Sequence, residues 1–483
     1  MMGRSRVLVL TVIMILILLV TSCAGQSALG NNPNSDDSKH TLTIWSFYPN
    51  KDMEPLVRNY MAAHPKIEVI HTGFAFLALQ PEFRKRATQG LGPDGVIVTE
   101  RVIPKLIETG LIEPLDEYNI ETNNFLPKSM VSVRDSEDHL YGVPVAFQTM
   151  SLCYNNSLVE KVPETLSGWL KQAQQGKGIT IEPTFLNSMW GISALGGKIF
   201  DSKNNFVLKE TDLAKWLIWL KESRKISTVY VDNRRNLMFD LFTKGEVAYY
   251  PCWSFEYVPL KEKLGDKLEV TTLPQGDLGK SAPNLETDTL VVNAYATAAN
   301  KKLAVDFARF ITQENQQLTL ISAKEHTIAP INSKTEVDER LLPVIKTFAE
   351  TAKDAIPFPM SDVYSLRRLR FYGDKIYARV INGVISPVEG AKNLLEKVNN
   401  PSANENVSVS ASAASDEVQE KVLVDVKPKA DFLLQLWHIQ GEILKRPVIW
   451  WQILLIAILV SLSWLFSVAL NKLIKKFFEG LLG

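Results

Sequence analysis

The chain predicts an α/β protein with a membrane-spanning helix near its C-terminus. Three observations carry this. Between residues 41 and 400, short β-rich runs alternate with amphipathic helical stretches, the order that gives a largely parallel sheet. With 483 residues the chain is too long for one ordinary domain, so two or more lobes are expected. Residues 448–470 contain no ionisable group; as a helix they would extend roughly 35 Å, enough to cross a ~30 Å hydrocarbon layer.

In chain order, Arg4 and Arg6 precede an uncharged run over 7–20, the form of a secretory signal and short for a span. Val20-Thr21-Ser22-Cys23 then resembles a bacterial lipobox, which implies cleavage before Cys23 and lipid attachment to it. The polar residues 24–38 form a flexible tether. Residues 41–45 are the first strand. Met53, Leu56, Val57, Tyr60 and Met61 then mark one apolar helix face over 51–63, which Pro65 ends. Strands follow at 67–70 and 95–99, with a polar helix at 82–89 between them and a helix at 102–108 before Gly110. Strands at 150–154, 247–250 and 290–292 continue the alternation. Helices marked by Leu213, Trp216, Leu217 and Leu220, and by Leu303, Phe307, Phe310 and Ile311, lie among and after them. Ser386-Pro387-Val388-Glu389 supplies an N-cap, a proline at the first helical position and a glutamate three on; it opens a helix through Val398. Residues 399–415, with five Ser, four Asn and one charge, are a linker. Phe432, Leu433, Leu436, Trp437, Ile443 and Leu444 then have the spacing of an amphipathic helix at a membrane surface. Trp450, Trp451 and Trp464 suit interfacial anchoring of the span, which the exported N-terminus orients with Lys472 onward in the cytoplasm.

Composition excludes several functions. Fifty-three Lys+Arg balance 53 Asp+Glu, without the basic excess that neutralising nucleic-acid phosphates requires. Three cysteines exclude a disulfide-dense scaffold. No P-loop, H-E-x-x-H or G-x-S-x-G is present, and the six histidines never fall at i, i+4, so no metal, cofactor or catalytic residue is assigned. Gly90-Leu91-Gly92-Pro93-Asp94-Gly95 fits G-x-G-x-x-G, but it lies after a helix and before a strand, the reverse of a dinucleotide loop. Export would permit a bond between Cys153 and Cys252; two separate buried thiols is the reading carried forward.

The residues with chemistry to offer sit at strand ends. Trp45, Phe47 and Tyr48 follow the first strand, Trp190 lies in a turn, and Trp253 and Phe255 follow the strand at 247–250. Carboxylates occupy comparable places: Asp94, Glu100 (beside Arg101), Glu286 and Asp288. Ligands of open α/β sheets bind beyond the carboxyl ends of strands. There, rings stack on an apolar ligand face while carboxylates accept hydrogen bonds from hydroxyls, a pairing that suits a sugar. Of the rings, Trp45 and Trp253 are singled out as contacts.

Several stretches now carry a resemblance. They are Leu42-Thr43-Ile44-Trp45 with the helix after it, Gly110-Leu111-Ile112-Glu113-Pro114-Leu115, and Tyr141-Gly142-Val143-Pro144 running to Leu152-Cys153-Tyr154-Asn155. Ala194-Leu195-Gly196-Gly197-Lys198-Ile199-Phe200-Asp201, Phe242-Thr243-Lys244-Gly245-Glu246-Val247-Ala248 with Trp253, and residues 304–317 complete the set. In this order they resemble the extracellular solute-binding proteins of ATP-binding-cassette importers, in the sugar-binding, maltose-binding-protein-like group. Asn284-Leu285-Glu286-Thr287-Asp288-Thr289 departs from that pattern, which often has Gly-Gly there, and Tyr249 stands where a methionine is usual.

The resemblance implies a two-lobed periplasmic-binding-protein fold (type II) with hinge strands. The chain would cross between lobes near Gln148 and Thr149, return near 290–292 and cross again near 329–331. The domains expected are a lipoprotein signal peptide (1–22), a tether (23–40), lobe one (41–147 with 291–329) and lobe two (148–290 with 330–398). A linker (399–430), a juxtamembrane helix (431–446), the span (447–470) and a cytoplasmic tail (471–483) follow. Function is then non-catalytic: a receptor on the outer face of the cell membrane closes around a small polar ligand, a sugar by family default, and passes it to an importer permease. Trp45, Phe47, Glu100 and Arg101 would serve from lobe one and Trp190, Trp253 and Glu286 from lobe two. Trp253→Ala is expected to weaken binding at least tenfold with little change in melting temperature. A sensor coupled through the span to a membrane partner is the alternative; residues 437–476 faintly resemble the membrane entry of small mechanosensitive-type channels. A glycosidase would need Glu286 and a second carboxylate ~5–10 Å apart.

Overall fold

The computed structural model describes residues 39–400 apart from 323–326, 339 and 341. The signal with Cys23, and the linker beyond residue 400, juxtamembrane helix, span and tail, lie outside the described residues. Among the described residues no helix is long and apolar enough to cross a membrane.

Eleven strands form one hydrogen-bonded path with branches: β1 (His40–Ser46), β2 (Ile67–Gly73), β3 (Gly95–Thr99), β4 (Val143–Asn155), β5 (Ile179–Ile181), β6 (Val229–Val231), β7 (Tyr249–Trp253), β8 (Leu268–Thr271), β9 (Asn284–Val292), β10 (Ala329–Pro330) and β11 (Ile356–Pro357). The order along the path is β2-β1-β3-β9-β4-β7-β5-β6. β1 is parallel to β2 and β3, and β5 is parallel to β6 and β7, whereas β9 runs antiparallel to β3 and β4 (and parallel to the short β11) and β4 runs antiparallel to β7. Each end is thus an α/β sheet, and the two meet at β4. Residues Val143–Thr149 pair with β9; from Met150 onward β4 pairs with β7 and β8.

Two main hydrophobic cores flank that junction. The first includes Leu42, Ile44, Leu56, Tyr60, Phe147 and Phe307; the second includes Leu152, Trp169, Trp190, Trp216, Tyr249 and Leu394. Amphipathic helices supply most of each. Asn50–Ala63 buries Met53, Leu56, Val57 and Tyr60, and Glu210–Ser223 buries Leu213, Trp216, Leu217 and Leu220. Pro387–Asn399 has the expected cap: Ser386 Oγ accepts from Glu389 N at 3.1 Å.

Several expectations require correction. The polar helix placed at 82–89 is Phe76–Ala87, because the burial of Leu79, Phe83 and Ala87 outweighs the one hydrogen bond lost at Pro81. The strand placed at 290–292 begins at Asn284; its polar first half pairs with β4 and, at Asn284 and Leu285, with β11, and β3 takes over from Asp288 onward. β9 therefore lies wholly in the first sheet, and the return passage precedes Asn284 instead of falling at 290–292. Ile331, Ile345, Ala352 and Ala355 pack in the first core while Phe348 packs with Cys153, Phe242 and Tyr250 of the second sheet, so 330–355 bridges the two and is not simply part of lobe two. The third passage is at β11, which pairs with Asn284 and Leu285 of β9, and Phe358 is already in the second core. Cys153 and Cys252 are bonded, not separate thiols, because the β4–β7 pairing brings their Cα atoms within 5.7 Å.

Candidate functional site

The junction brings polar side chains onto one face. Residues directly opposite on antiparallel strands share a face, as do residues i and i+2 on one strand. Glu286 lies opposite Gln148, and Met150 lies opposite Trp253. Asp288 and Glu286 are i, i+2 on β9, and Gln148 and Met150 are i, i+2 on β4. One surface therefore runs from the carboxylates of the first sheet through Gln148 and Met150 to Trp253 of the second.

At its first-lobe end Asp288 is fully buried and accepts from Tyr48 Oη at 2.6 Å and from Gln148 Nε2 at 2.8 Å. Glu100, just past the carboxyl end of β3, accepts from the backbone N–H of Thr287 at 2.7 Å. Arg101 Nη2 reaches Glu286 Oε1 at 3.4 Å. Three carboxyl groups thus gather around one guanidinium, away from water. Burial raises the Asp288 carboxyl to about 7, against the pull of the Tyr48 and Gln148 hydrogen bonds. Burial and the neighbouring Glu286 charge raise Glu100 well above the usual carboxylate range. Glu100 Oε1 and Gln148 Oε1 are buried without a partner. Each such atom costs about 1–3 kcal/mol, which a ligand hydroxyl placed against it would recover. Aromatic rings edge the cluster at Arg101, which lies over Phe76 at 5.4 Å, with Phe47 edge-on to Phe76 at 5.3 Å; Trp45 packs against Phe74 at 4.6 Å in the core around β3.

At the second-lobe end Trp253 stacks on Phe255 at 5.8 Å, and its Nε1 donates to Asn187 Oδ1 at 3.0 Å. Beyond it Glu182, just past the carboxyl end of β5, pairs with Arg235, which also pairs with Glu256. A cavity of about 10 Å³, room for one water, is lined here by Met150, Thr180, Glu182, Asn187 and Arg235 among others. Among the described residues no cluster of three or more His, Cys, Asp or Glu is poised to hold a metal ion.

The structure brings Glu100, Arg101, Glu286, Asp288 and Trp253 to the shared face, with Phe47 at its edge; Trp45 is buried in the core around β3, its ring against Phe74 and under Arg86. Glu286 comes from the first sheet, not from lobe two as expected. Tyr48 is a support for Asp288 and not a stacking platform, since its ring is buried and its hydroxyl is committed. Trp190 is core: it is 0% exposed, packed between Trp169 and Trp216, and its Nε1 donates to Asn187 O. The neighbouring Gly191 passes so close to Trp216 that a Cβ would come within 2.1 Å of the indole. Trp253 ends β7 instead of following it, and Phe255 is 41% exposed. Sequence reasoning missed Glu182, Asn187, Arg235 and Glu256. A signal existed for Glu182: like Glu100, it is a carboxylate immediately after a β-rich run, Ile179-Thr180-Ile181. Arg235 has no such signal, since Arg234-Arg235 reads as solvated charge.

A family model described as bacterial extracellular solute-binding protein matches residues 55–339. The maltotriose-binding protein of Pyrococcus abyssi is 29% identical over 178 residues, 34% of this chain and 38% of that protein. The galactooligosaccharide-binding protein of Bacillus subtilis is 22% identical over 363 residues, 69% of this chain and 79% of that protein. The match thus spans well under half of the first relative and most of the second. Among solved structures, the maltose-binding protein of Listeria monocytogenes in complex with maltose aligns with a TM-score of 0.65 at 18% identity, covering 76% of this chain and 98% of that one. The maltose-maltodextrin binding protein of Alicyclobacillus acidocaldarius aligns with a TM-score of 0.61 at 19% identity, covering 75% and 100%. At these identities the likeness is one of fold. The matched family and these neighbours are binding proteins, not enzymes.

Proposed function

Because this chain belongs to the bacterial extracellular solute-binding proteins, we propose that it is the carbohydrate receptor of an ATP-binding-cassette importer. In this reading a short oligosaccharide lies between the lobes and its hydroxyls meet the acceptors of the first. Cys23 and the 447–470 span hold the receptor on the outer face of the membrane, and a permease receives the sugar. The observation that carries the reading is the face made by Asp288, Glu286, Gln148, Met150 and Trp253 with Glu100 beside it, which joins the unpaired acceptors Gln148 Oε1 and Glu100 Oε1 to an aromatic ring across the strand that both sheets share. Closure is favoured only by a ligand that touches both ends of this face, because equal affinity for two states shifts neither. The names of the Pyrococcus and Bacillus relatives favour maltotriose and galactooligosaccharides as first probes.

The test is calorimetric titration of the full-length chain with maltotriose and galactotriose. Affinity near micromolar, about −8 kcal/mol, is expected for at least one, with tenfold loss in Glu286→Gln. Binding of no sugar, alongside binding of a polyamine or an organic acid, would remove the carbohydrate reading. The sensor alternative draws on the uncharged run at 448–470, since delivery of a solute needs no second anchor. Cross-linking from the C-terminal span separates the two: a permease subunit as partner supports import, and a channel supports sensing.

A further inference from the structure

Arg235 opens the helix Arg235–Thr243 beyond the carboxyl ends of β5 and β6, and its guanidinium has two partners on different segments. Nη1 donates to Glu182 Oε2 at 2.8 Å, just past β5. Nε donates to Glu256 Oε1 at 2.8 Å, and Nη2 pairs with the other oxygen of the same carboxylate. Glu256 passes the constraint on: its Oε1 accepts from Tyr250 Oη at 2.7 Å, and its Oε2 accepts from the backbone N–H of Trp253 at 2.8 Å. The guanidinium also lies 5.2 Å over the Tyr250 ring. A planar, forked donor set can hold two carboxylates in fixed orientations at once, which a lysine ammonium does not reproduce. Glu182, Arg235 and Glu256 are all largely buried, with side-chain exposures of 12%, 23% and 10%. Removing the cation would leave two largely buried carboxylates without a counter-charge.

Glu182, Arg235 and Tyr250 line the small cavity, whose other walls Met150 and Asn187 touch Trp253, at the place where the second sheet would meet a ligand. We infer that Arg235 is the positioning residue of the second-lobe half of the cleft. One arm aims the Glu182 carboxylate at the cavity, where it accepts from a sugar hydroxyl; the other arm, through Glu256, sets the backbone from which the Trp253 ring projects. Arg235 itself need not touch the ligand. This inference rests on the carbohydrate reading and adds to it a residue that governs affinity through two others.

The test is a double-mutant cycle on the full-length chain, using whichever of maltotriose and galactotriose binds. Glu182→Gln and Arg235→Met are each expected to weaken binding tenfold or more. The double variant is expected to bind about as well as the weaker single variant, because the arginine acts through the glutamate. Losses that multiply in the double variant, or wild-type affinity in Arg235→Met, would overturn the inference. Arg235→Lys guards against a folding defect: it keeps the charge and is expected to melt within a few degrees of wild type while binding three- to tenfold more weakly. Arg235→Lys with undiminished affinity would also overturn the inference. Because the second arm reaches Trp253, the tryptophan fluorescence change on binding should differ in Arg235→Lys, a readout that a purely structural arginine would leave alone. If wild type binds neither sugar, the carbohydrate reading itself fails and this inference with it, an outcome distinct from sugar binding that ignores Arg235.

Discussion

Trp253 shows how a contact residue and a core residue can be the same side chain. It is 4% exposed, belongs to the second core, bonds Asn187 and stacks on Phe255. Truncating it to alanine should therefore cost roughly 3–5 kcal/mol of stability as well as binding. The expectation of an unchanged melting temperature for Trp253→Ala does not survive its burial. Phe255 is the cleaner probe, because it is 41% exposed and lends one face to Trp253. Phe255→Ala is expected to weaken sugar binding three- to tenfold and to shift the melting temperature by only a few degrees. Equal affinities for the variant and wild type by titration would place Phe255 outside the site. Trp190 teaches the reverse lesson: a tryptophan beside a glycine reads from sequence as a turn contact, yet both residues are there to fit Trp216.

At the scale of elements, β4 and β9 carry the site. β4 is buried along almost its whole length, so it lacks the alternation that marks a half-buried strand, and only its second half was recognisable. β9 hides Asn284, Glu286 and Asp288 in a strand with no exposed residue, contrary to ordinary strand composition. A segment that breaks the local rules in this way is where function is expected. The Cys153–Cys252 bond fastens β4 to β7 just past the junction and closes a loop with a sequence separation of 99. In the chain-entropy account a loop of that size contributes up to about 4.7 kcal/mol, and native disulfides typically contribute about 2–4. Replacing both cysteines by serine is expected to lower stability by that smaller amount in urea unfolding. An unchanged midpoint would show that the strand pairing needs no clasp.

At the scale of the molecule, placing carboxylates between two cores makes stability depend on pH. Asp288 titrates near 3.8 when unconstrained and near 7 in the fold, because burial penalises its charged form. The folded chain therefore holds a proton that the unfolded chain has released. That contribution is complete below pH ~4 and is lost as pH rises through ~7, with a total on the order of 4 kcal/mol. Glu100 adds in the same direction. Wild type should thus melt higher at pH 5 than at pH 7.5, and Asp288→Asn should flatten part of that slope. A variant as steep as wild type in calorimetric scans at both pH values would assign the proton elsewhere.

From the sequence alone came the α/β class, most helix faces, the Ser386 cap and the position of Glu100 after its strand, which follow from period, composition and local capping acting over a few neighbouring residues; the family resemblance came separately, from motif stretches in a matching order. Tertiary structure alone decided the lobe to which 284–290 belongs, the bridging of both cores by 330–355, the pairing of Cys153 with Cys252, the burial of Trp190 and the gathering of Arg235 with Glu182 and Glu256. Each of these joins residues far apart in the chain, through strand register and core packing that no local pattern encodes.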